Sequence, residues 1–298
     1  MSLGWLALAR GNLDRVAERR RDDDWVDAAW ADSRVVVVDQ GRVQVKVADT
    51  LELVFLDAKN APDGPRYLLG LDEDEIAYFA VEAALPDLDG AEPADLRRVG
   101  ALLGDVDSGV MTHAVALANW HSTHRYCPRC GRETQVIAAG HVRVCPEDGS
   151  EHYPRLDPAV IMLVHDTADR VLLARGAAWP ERRVSILAGF VEPGESLEQA
   201  VAREVHEEVG LVVADADYLG SQPWPLPQSL MVGFTCLAEQ GQELRYEDGE
   251  IEEAHWYSRD ELRTAALAGE VLLPGKVSIA RQILEHWYGG DLPGSWGL

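Results

Sequence analysis

Residues Gly189–Leu211 read GFVEPGESLEQAVAREVHEEVGL, and this stretch decides how the rest of the chain is interpreted. A loop with Gly and Pro leads to Ser196, and Gln199 follows three positions later, which is the pattern of a capping box at a helix N-terminus. Apolar residues then recur every four positions, as in a helix with one face against a core: Leu197, Val201, Val205 and Val209. Gly210 is a typical C-terminal breaker, so we predict a helix that ends there.

Three glutamates border the apolar row of this predicted helix. At about 100° per residue, Glu204, Glu207 and Glu208 fall within roughly a 100° arc of one face. Like charges at this spacing destabilise a helix, and a hard divalent cation such as Mg²⁺ or Mn²⁺, which takes carboxylate oxygens, would relieve that cost. Arg203 supplies a permanent positive charge that could hold one of the carboxylates. The alternative interpretation is an ordinary solvated acidic face.

The complete spacing of the segment favours a metal site over a solvated face. Gly189 is followed after five residues by Glu195, and after seven more by the run Arg-Glu-apolar-His-Glu-Glu-Val-Gly-Leu that begins at Arg203. This matches every fixed position of the Nudix box, so the segment resembles the Nudix hydrolases, which split a nucleoside diphosphate linked to another group. The resemblance implies a metal-dependent hydrolase with an α/β/α sandwich around a mixed sheet.

The composition is that of a globular protein with a large negative charge. The 298 residues are 47% hydrophobic and 26% charged, and 51 acidic against 27 basic side chains give a formal charge of −24. Such a charge argues against long nucleic acid as the main partner, because phosphate backbones are bound through Lys and Arg. No apolar run approaches the ~18 residues of a membrane span, and no secretory signal is evident, so we expect a cytoplasmic protein without a membrane partner.

We predict an α+β multidomain chain with three parts. Residues 1–120 form an N-terminal α+β domain with a structural or dimer-forming role, residues 121–155 a zinc-ribbon-like module, and residues 156–298 the Nudix sandwich. The strand patterns of the first part are Arg34–Val38, Val43–Val47, Leu51–Leu56, Arg66–Leu71 and Ile76–Val81, and its helical patterns are Asp95–Leu103 and Val110–Trp120. The strand patterns of the last part are Ala159–His165, Arg170–Ala174, Leu230–Leu237 and Glu250–Tyr257, and its helical patterns besides the box are Asp260–Ala268 and Val277–Trp287.

The ribbon-like module carries a CxxC knuckle, Cys127 and Cys130, followed after fourteen residues by Cys145. A structural zinc site of this kind normally has a second CxxC, but here Asp148 stands at the fourth position. The pattern therefore fits three thiolates with one carboxylate, or a ribbon that has lost its metal. Two other residues are alternative fourth ligands: His141 and His152. Zinc at such a closed site would be structural, because no open position is left for a reactive water.

Residues Ser221–Ser229 read SQPWPLPQS and indicate the branch of the family. Three prolines in five residues exclude regular structure and predict a stiff loop at a domain edge, which by itself could be a plain connector. After a Nudix box, however, SQPWPxPxS is the motif of the NADH pyrophosphatases, with Leu226 where that family usually has Phe. The preceding ribbon and a final helix with Ser278–Arg281 also resemble that family.

The resemblance implies that the pyrophosphate of NADH or NAD⁺ is hydrolysed to nicotinamide mononucleotide and AMP, and the same chemistry can remove NAD caps from RNA 5′ ends. The implied catalytic and metal-binding positions are the Ala188 carbonyl, Arg203, Glu204, Glu207, Glu208 and Glu250. The positions implied to line the dinucleotide pocket are Gln222, Pro223, Trp224, Pro225, Leu226, Pro227, Gln228, Ser229 and Ala280. Phe190 would stack on nicotinamide and Tyr153 would reach a neighbouring subunit's pocket, which implies a homodimer, although either ring can instead belong to a core.

Two alternatives of other classes stay open. A Nudix hydrolase of another nucleoside diphosphate derivative, such as ADP-ribose or a dinucleoside polyphosphate, would keep the same acids and differ in its preferred substrate. A non-catalytic nucleotide sensor or nucleic-acid-binding ribbon protein would use the positive charge of the module: Arg125, Arg129, Arg132 and Arg143. The intact carboxylates disfavour this second alternative, because a protein that only binds does not need them.

Overall fold

The computed structural model describes residues 3–239, 241–246 and 249–296, so the outermost residues of the first and last predicted parts lie outside it. The chain forms two compact units. The amino-terminal unit comprises Leu8–Leu156 together with the short segment Pro223–Gln228. The carboxy-terminal unit comprises the chain up to Ala7, Asp157–Gln222 and the chain from Ser229 on.

The amino-terminal unit contains two sheets, a long helix and a small ribbon. Its strands are β1 (Arg34–Val38), β2 (Arg42–Val47), β3 (Leu51–Leu53), β4 (Leu56–Asp57), β5 (Arg66–Leu71), β6 (Ala77–Glu82) and β7 (Ala91–Asp95), and its helices are α1 (Asp23–Ala31), α2 (Leu96–Val99) and α3 (Asp105–Thr123). One sheet has the strand order β4-β1-β6-β5 and the other β3-β2-β7. The ribbon is a three-stranded antiparallel sheet of β8 (Gln135–Ile137), β9 (Val142–Val144) and β10 (Glu151–His152).

One predicted helix of this unit is wrong in extent. The Asp95–Leu103 pattern forms only the single turn α2, because Asp95 ends strand β7 and caps α2 with its side chain. Gly100 ends the turn, and Gly104 is already the N-cap residue of α3. The helix predicted at Val110–Trp120 is confirmed as the middle of α3.

The carboxy-terminal unit is built around a mixed sheet, as predicted, and this sheet has six strands where the sequence indicated four. Its strands are β11 (Asp157–Asp166), β12 (Val171–Gly176), β13 (Leu187–Phe190), β14 (Val213–Trp224), β15 (Ser229–Ala238) and β16 (Ile251–Tyr257), and its helices are α4 (Leu197–Val209), α5 (Arg259–Ala268) and α6 (Ile279–Tyr288). The order is β14-β15-β11-β12-β16, with β13 paired to β11. Strand β11 runs parallel to β15 and antiparallel to β12 and β13.

Successive residues of β11 point into two different cores. Val160 and Met162 pack with the α4 side chains Val201 and Val205, whereas Ile161 lies in a second core that includes α5 and α6 residues. Helices therefore cover both faces of the sheet, which makes the α/β/α sandwich that the sequence predicted. In the described part of the chain, no helix has both the length and the apolar character needed to span a membrane.

The proline-rich motif contradicts the expectation that Ser221–Ser229 is irregular throughout. Strand β14 continues to Trp224, and Ser229 already begins β15. Pro223 is tolerated within β14 because that strand is at the edge of the sheet, where a missing N–H need not cost a ladder hydrogen bond. The irregular part of the motif is limited to residues 225–228.

Three histidines of the amino-terminal unit are held in their neutral form chiefly by burial. His121 uses Nε2 to donate to the Gly140 carbonyl at 2.8 Å, so its Nδ1 accepts from Arg143 at 2.9 Å. Burial is the largest cause that lowers the pKa of His121 to about 4, and the same holds for His141. Burial also lowers the pKa of His113, whose Nδ1 lies 2.8 Å from Arg15. A proton added at either Nδ1 would face a guanidinium.

We predict that acid weakens the amino-terminal unit between pH 6.5 and about 4. The unfolded histidines bind protons from about pH 6.5 downwards, but folded His121 and His141 do so only near pH 4. The unfolded state thus binds more protons in this window, so the free energy of unfolding rises with pH across it. The stabilising contribution of the neutral histidines is complete above pH 6.5. The loss below the window is on the order of 3 kcal/mol for each histidine.

Urea unfolding at a series of pH values measures this slope. His121→Gln keeps a donor for the Gly140 carbonyl but cannot titrate, so its unfolding free energy should depend less on pH than that of the parent. Equal slopes for the two proteins would contradict the assignment of acid sensitivity to the buried histidine.

Candidate active site

Helix α4 presents the predicted acids and has the predicted ends. The Ser196 Oγ accepts from Gln199 N at 3.3 Å, and Ser196 N donates to Gln199 Oε1 at 2.8 Å, so the capping box is confirmed. The helix ends at Val209, and Gly210 adopts a left-handed conformation with φ 72°. Both ends of the helix are therefore fixed by local sequence, which sets the rotation of its acidic face.

The Arg203 guanidinium ties the loop after β13 to the acids of α4. Its Nη2 and Nε donate to the two carboxylate oxygens of Glu195 at 2.6 and 3.1 Å. Its Nη1 donates to Glu204 Oε1 and to Glu207 Oε2, each at 2.9 Å, and Nη2 also donates to the Phe190 carbonyl at 2.8 Å. The sequence predicted that Arg203 holds one carboxylate, but it holds three. The bonds to Glu195 are the largest cause that raises the pKa of Arg203 above its ordinary value.

Glu195 is a site residue to which the sequence analysis assigned no role beyond its place in the box. Its carboxylate lies against Arg203, and this contact is the largest cause that lowers the pKa of Glu195. Glu195 Oε1 also accepts from Glu192 N at 2.7 Å, so the same side chain braces the loop that precedes α4. The sequence feature that could have indicated this role is the eight-residue spacing from Glu195 to Arg203 within the box. That spacing alone does not show that the loop folds back onto the helix.

Gly189 is required because the Glu204 carboxylate lies directly over it. A Cβ at position 189 would stand 1.9 Å from the Glu204 Cδ and 2.1 Å from its Oε2. No side chain can occupy that space without moving the carboxylate. The glycine at the start of the box is thus explained by a close approach to the first of the predicted metal ligands.

The electrostatics of the acid cluster favour a bound cation. Burial is the largest cause that raises the pKa of Glu204, and the negative charges of Glu207 and Glu250 raise it further, against the opposing effect of Arg203. Glu250, which comes from the segment before β16, is therefore close enough to influence an acid of α4. Carboxylate oxygens from two separate elements that repel one another fit a hard divalent ion.

The remaining predicted metal positions lie on the same helix and on the neighbouring strand. Glu208 is 5% exposed and sits at the buried side of α4. Ala188 is an exposed residue of β13 and is paired with Ile161 of β11. Glu250 is exposed, and its backbone carbonyl accepts from Ala177 N at 2.8 Å.

The two aromatic rings singled out by the sequence are both open to solvent. Phe190 ends β13 beside Arg203 and is 60% exposed. Tyr153 follows the ribbon strand β10 in the amino-terminal unit and is 59% exposed, with its hydroxyl donating to Glu151 Oε2 at 2.6 Å. This exposure excludes the core interpretation for both rings.

The pocket positions predicted from the proline-rich motif differ in how accessible they are. Gln222 is fully buried and its Nε2 donates to the Val277 carbonyl at 3.0 Å, so its side chain fastens β14 to the segment before α6. Ala280 on α6 is also buried, at 2% exposed, and Pro225 and Ser229 are buried too. The more accessible positions of the motif are Pro223, Trp224, Leu226, Pro227 and Gln228.

The ribbon gathers three of the four predicted zinc ligands. The sulfurs of Cys127, Cys130 and Cys145 all lie within 4.8 Å of one another, and those of Cys130 and Cys145 are 3.5 Å apart. Burial opposes ionisation of Cys127, but N–H donors from Arg129 and Cys130 outweigh it and lower the Cys127 pKa to about 6. Three converging sulfurs, one of them predisposed to be a thiolate, fit the donor set of a structural zinc site.

The fourth corner of the ribbon site is polar and lies around Ser150. The Asp148 Oδ1 accepts from Ser150 N at 2.9 Å and from Ser150 Oγ at 2.6 Å, and His152 Nε2 is 3.3 Å from the same hydroxyl. His141 is not available there, because it is buried with Nε2 2.7 Å from the Leu68 carbonyl. The fourth cysteine, Cys236, lies fully buried in β15, as the sequence predicted.

Three family profiles match successive parts of the sequence. "NADH pyrophosphatase-like rudimentary NUDIX domain" matches residues 26–120, "NADH pyrophosphatase zinc ribbon domain" matches residues 122–153, and "NUDIX domain" matches residues 155–276.

Curated proteins with similar sequences carry consistent names. "NAD-capped RNA hydrolase NudC" of Mycobacterium bovis is 46% identical over 294 residues, which cover 94% of each chain. The protein of the same name from Mycobacterium tuberculosis also has 46% identity and 94% coverage of each chain. "NAD-capped RNA hydrolase NUDT12" of Pongo abelii is 38% identical over 62% of this chain and 42% of its own.

We predict that Gly189→Ala lowers the affinity of the acid cluster for divalent ions at least about tenfold, because the new methyl group displaces the Glu204 carboxylate. Titration with Mn²⁺, followed by electron paramagnetic resonance of the free ion, measures this. Gly290→Ala is the matched control, since a Cβ there meets nothing within 4 Å. Unchanged affinity in Gly189→Ala would show that Glu204 does not hold the ion.

Proposed function

The chain belongs to the NADH pyrophosphatase branch of the Nudix hydrolase family, and on that premise we propose that it hydrolyses the pyrophosphate of NADH and NAD⁺ to nicotinamide mononucleotide and AMP. The observation that carries the proposal is that Arg203 pairs with Glu204 and Glu207, while Glu250 is near enough to raise the pKa of Glu204. The Phe190 carbonyl accepts from the same guanidinium, and the Phe190 side chain is exposed. Acids that can bind a metal and an exposed aromatic residue are thus linked through Arg203 within one unit.

The acids define where the ion would be held. Its ligands would come from the Ala188 carbonyl, Glu204, Glu207, Glu208 and Glu250. Bound there, Mg²⁺ or Mn²⁺ supplies charge neutralisation at the phosphates and makes a water more acidic. These two ions are proposed because oxygen donors dominate the site.

The reaction is a displacement at phosphorus. A water oxygen forms the new P–O bond while the bond from that phosphorus to the bridging oxygen breaks, and the leaving phosphate keeps the electron pair. The proton of the water passes to a carboxylate of the cluster. Arg203 keeps Glu204 and Glu207 in fixed positions, so little reorganisation is needed when the substrate arrives.

We propose separate contacts with the dinucleotide for Phe190 and for the proline-rich motif. The open face of Phe190 suits stacking on nicotinamide, because an aromatic ring gains most when it covers another flat ring. The accessible part of the motif consists of Pro223, Trp224, Leu226, Pro227 and Gln228. Gln222 and Ala280 are buried, so we propose a structural role for both and no direct contact with the ligand.

We extend the proposal to NAD caps at RNA 5′ ends. The relatives at 46% identity are named NAD-capped RNA hydrolases, and the bond that would be cut is the same pyrophosphate. The charge of −24 disfavours extended contact with RNA, so we propose that recognition is centred on the cap.

We further propose that the protein works as a cytoplasmic homodimer with structural zinc in its ribbon. Exposed Tyr153 suits a residue that enters a partner's pocket. All four cysteines are free thiols, as expected in a reducing compartment. Cys127, Cys130 and Cys145 would hold the zinc, with Asp148 or His152 as the fourth ligand.

We predict that Glu207→Gln lowers kcat for NADH hydrolysis by two or more orders of magnitude, because the site loses a negative ligand for the ion. AMP release with Mg²⁺ or Mn²⁺ measures this. Glu198→Gln is the matched control, since Glu198 is an exposed acid of the same helix and should leave kcat unchanged. ADP-ribose assayed at the same enzyme concentration tests the substrate, and faster turnover of ADP-ribose than of NADH would contradict the proposal.

We predict about one equivalent of zinc in the purified protein, because the three sulfurs already converge. Elemental analysis by mass spectrometry measures this, and Cys130→Ser should lose the metal. Cys236→Ser, which removes the thiol far along the chain in β15, is the control and should keep it. Only traces of zinc in the parent protein would mean that the ribbon is held by packing alone.

A further inference from the structure

We propose that Asn119 and Arg97 are positioning residues of the dinucleotide site, because they hold the proline-rich segment Pro223–Gln228 in place. The inference rests on the proposed function, in which this segment contacts NADH. Neither residue belongs to the Nudix box or to the SQPWPLPQS motif. Both belong to the amino-terminal unit, and so does the segment itself.

The segment is poorly equipped to fix its own shape. Pro223, Pro225 and Pro227 have no N–H group to donate, so half of its six residues cannot contribute a backbone hydrogen bond as donors. A backbone bond from Leu226 N to the Trp224 carbonyl, 2.7 Å long, closes its turn. Pro225 is buried, so its carbonyl needs a donor from elsewhere in the protein, because an unsatisfied carbonyl away from water is costly.

Asn119 supplies a donor to this carbonyl and to the carbonyl of Pro227. Its Nδ2 donates to the Pro225 carbonyl at 2.8 Å and lies 3.2 Å from the Pro227 carbonyl. A side-chain amide nitrogen carries two hydrogens, so one group can serve both acceptors. Asn119 lies near the end of α3, where its neighbours Ala118 and Trp120 are buried, so the donor is attached to a firm support.

Arg97 contacts the segment from a second direction. Its guanidinium carbon lies 5.3 Å from the centroid of the Trp224 ring, which is the geometry of a cation–π contact. Arg97 belongs to the single turn α2, whose residues Leu96 and Val99 are buried. One residue thus fixes the backbone of the segment and the other fixes the orientation of its largest side chain.

The consequence is a specific kinetic effect. A loosened segment must be ordered again each time the dinucleotide binds, which weakens binding. Substitutions at Asn119 or Arg97 leave Arg203 and the acids of α4 unchanged, so the rate of the chemical step should be preserved. We therefore expect a higher KM for NADH with kcat nearly unchanged, which a general loss of folding would not produce.

Four variants test this effect, two of them as controls for Arg97→Gln. Asn119→Asp has the same shape but no N–H donors, and it should raise KM for NADH about tenfold with kcat within about twofold of the parent. Arg97→Gln should raise KM about threefold, whereas Arg97→Lys, which keeps a cation over the ring, should restore it. Arg98→Gln removes the same charge from the next residue, which pairs with Glu92 instead, and should leave KM unchanged.

Hydrogen–deuterium exchange of the peptide that contains Trp224, Leu226 and Gln228 separates this inference from the proposed function. Faster exchange in Asn119→Asp than in the parent, with the expected rise in KM, supports the positioning role. Equal exchange and an unchanged KM in both Asn119→Asp and Arg97→Gln would overturn it. If the parent protein fails to hydrolyse NADH, the proposed function fails, and the exchange rates alone decide whether the two residues hold the segment. Should Asn119→Asp not fold, the exposed Arg97 pair gives the same comparison.

Discussion

The site depends on the ion pairs that the Arg203 guanidinium makes with neighbouring glutamates. Helix α4 places Glu204 and Glu207 within reach of each other, and without compensation their charges would push the side chains apart. Arg203 binds both and also holds Glu195 and the Phe190 carbonyl, so the acids, the preceding loop and the end of β13 keep a fixed arrangement. Glu195, Glu204 and Glu207 are therefore held by one guanidinium before any metal is present, and in the proposed function a divalent ion would balance their remaining negative charge.

Strands β13 and β14 also fix residues that the proposed chemistry uses. Strand β13 brings Gly189 beneath the Glu204 carboxylate, and its pairing with β11 anchors that position in the sheet. Strand β14 carries Gln222, whose buried side chain fastens the start of the proline-rich motif to Val277. The rest of the motif groups with the amino-terminal unit, where Asn119 donates a hydrogen bond to the Pro225 carbonyl.

The parts of the structure that could be predicted are those encoded by local spacing. The limits of α4 follow from Ser196, Gln199 and Gly210, and the buried strand β11 follows from its continuous apolar run. Strand β14 was missed because it is an edge strand with polar residues and a proline, and such a strand carries little apolar pattern. The spacing was enough to propose the acids, but the contact of Glu195 with Arg203 and the burial of Gln222 depend on residues distant in sequence, which spacing cannot show.

The central claim is that these carboxylates direct a water to the phosphate bridge of a dinucleotide. Mass spectrometry of the products formed from NADH in heavy-oxygen water, with the intact protein and a divalent ion, tests it most directly. The account predicts AMP and reduced nicotinamide mononucleotide in equal amounts, with one heavy oxygen incorporated into a phosphate for each bond cleaved. Release of free nicotinamide with ADP-ribose, or recovery of uncleaved NADH, would contradict it.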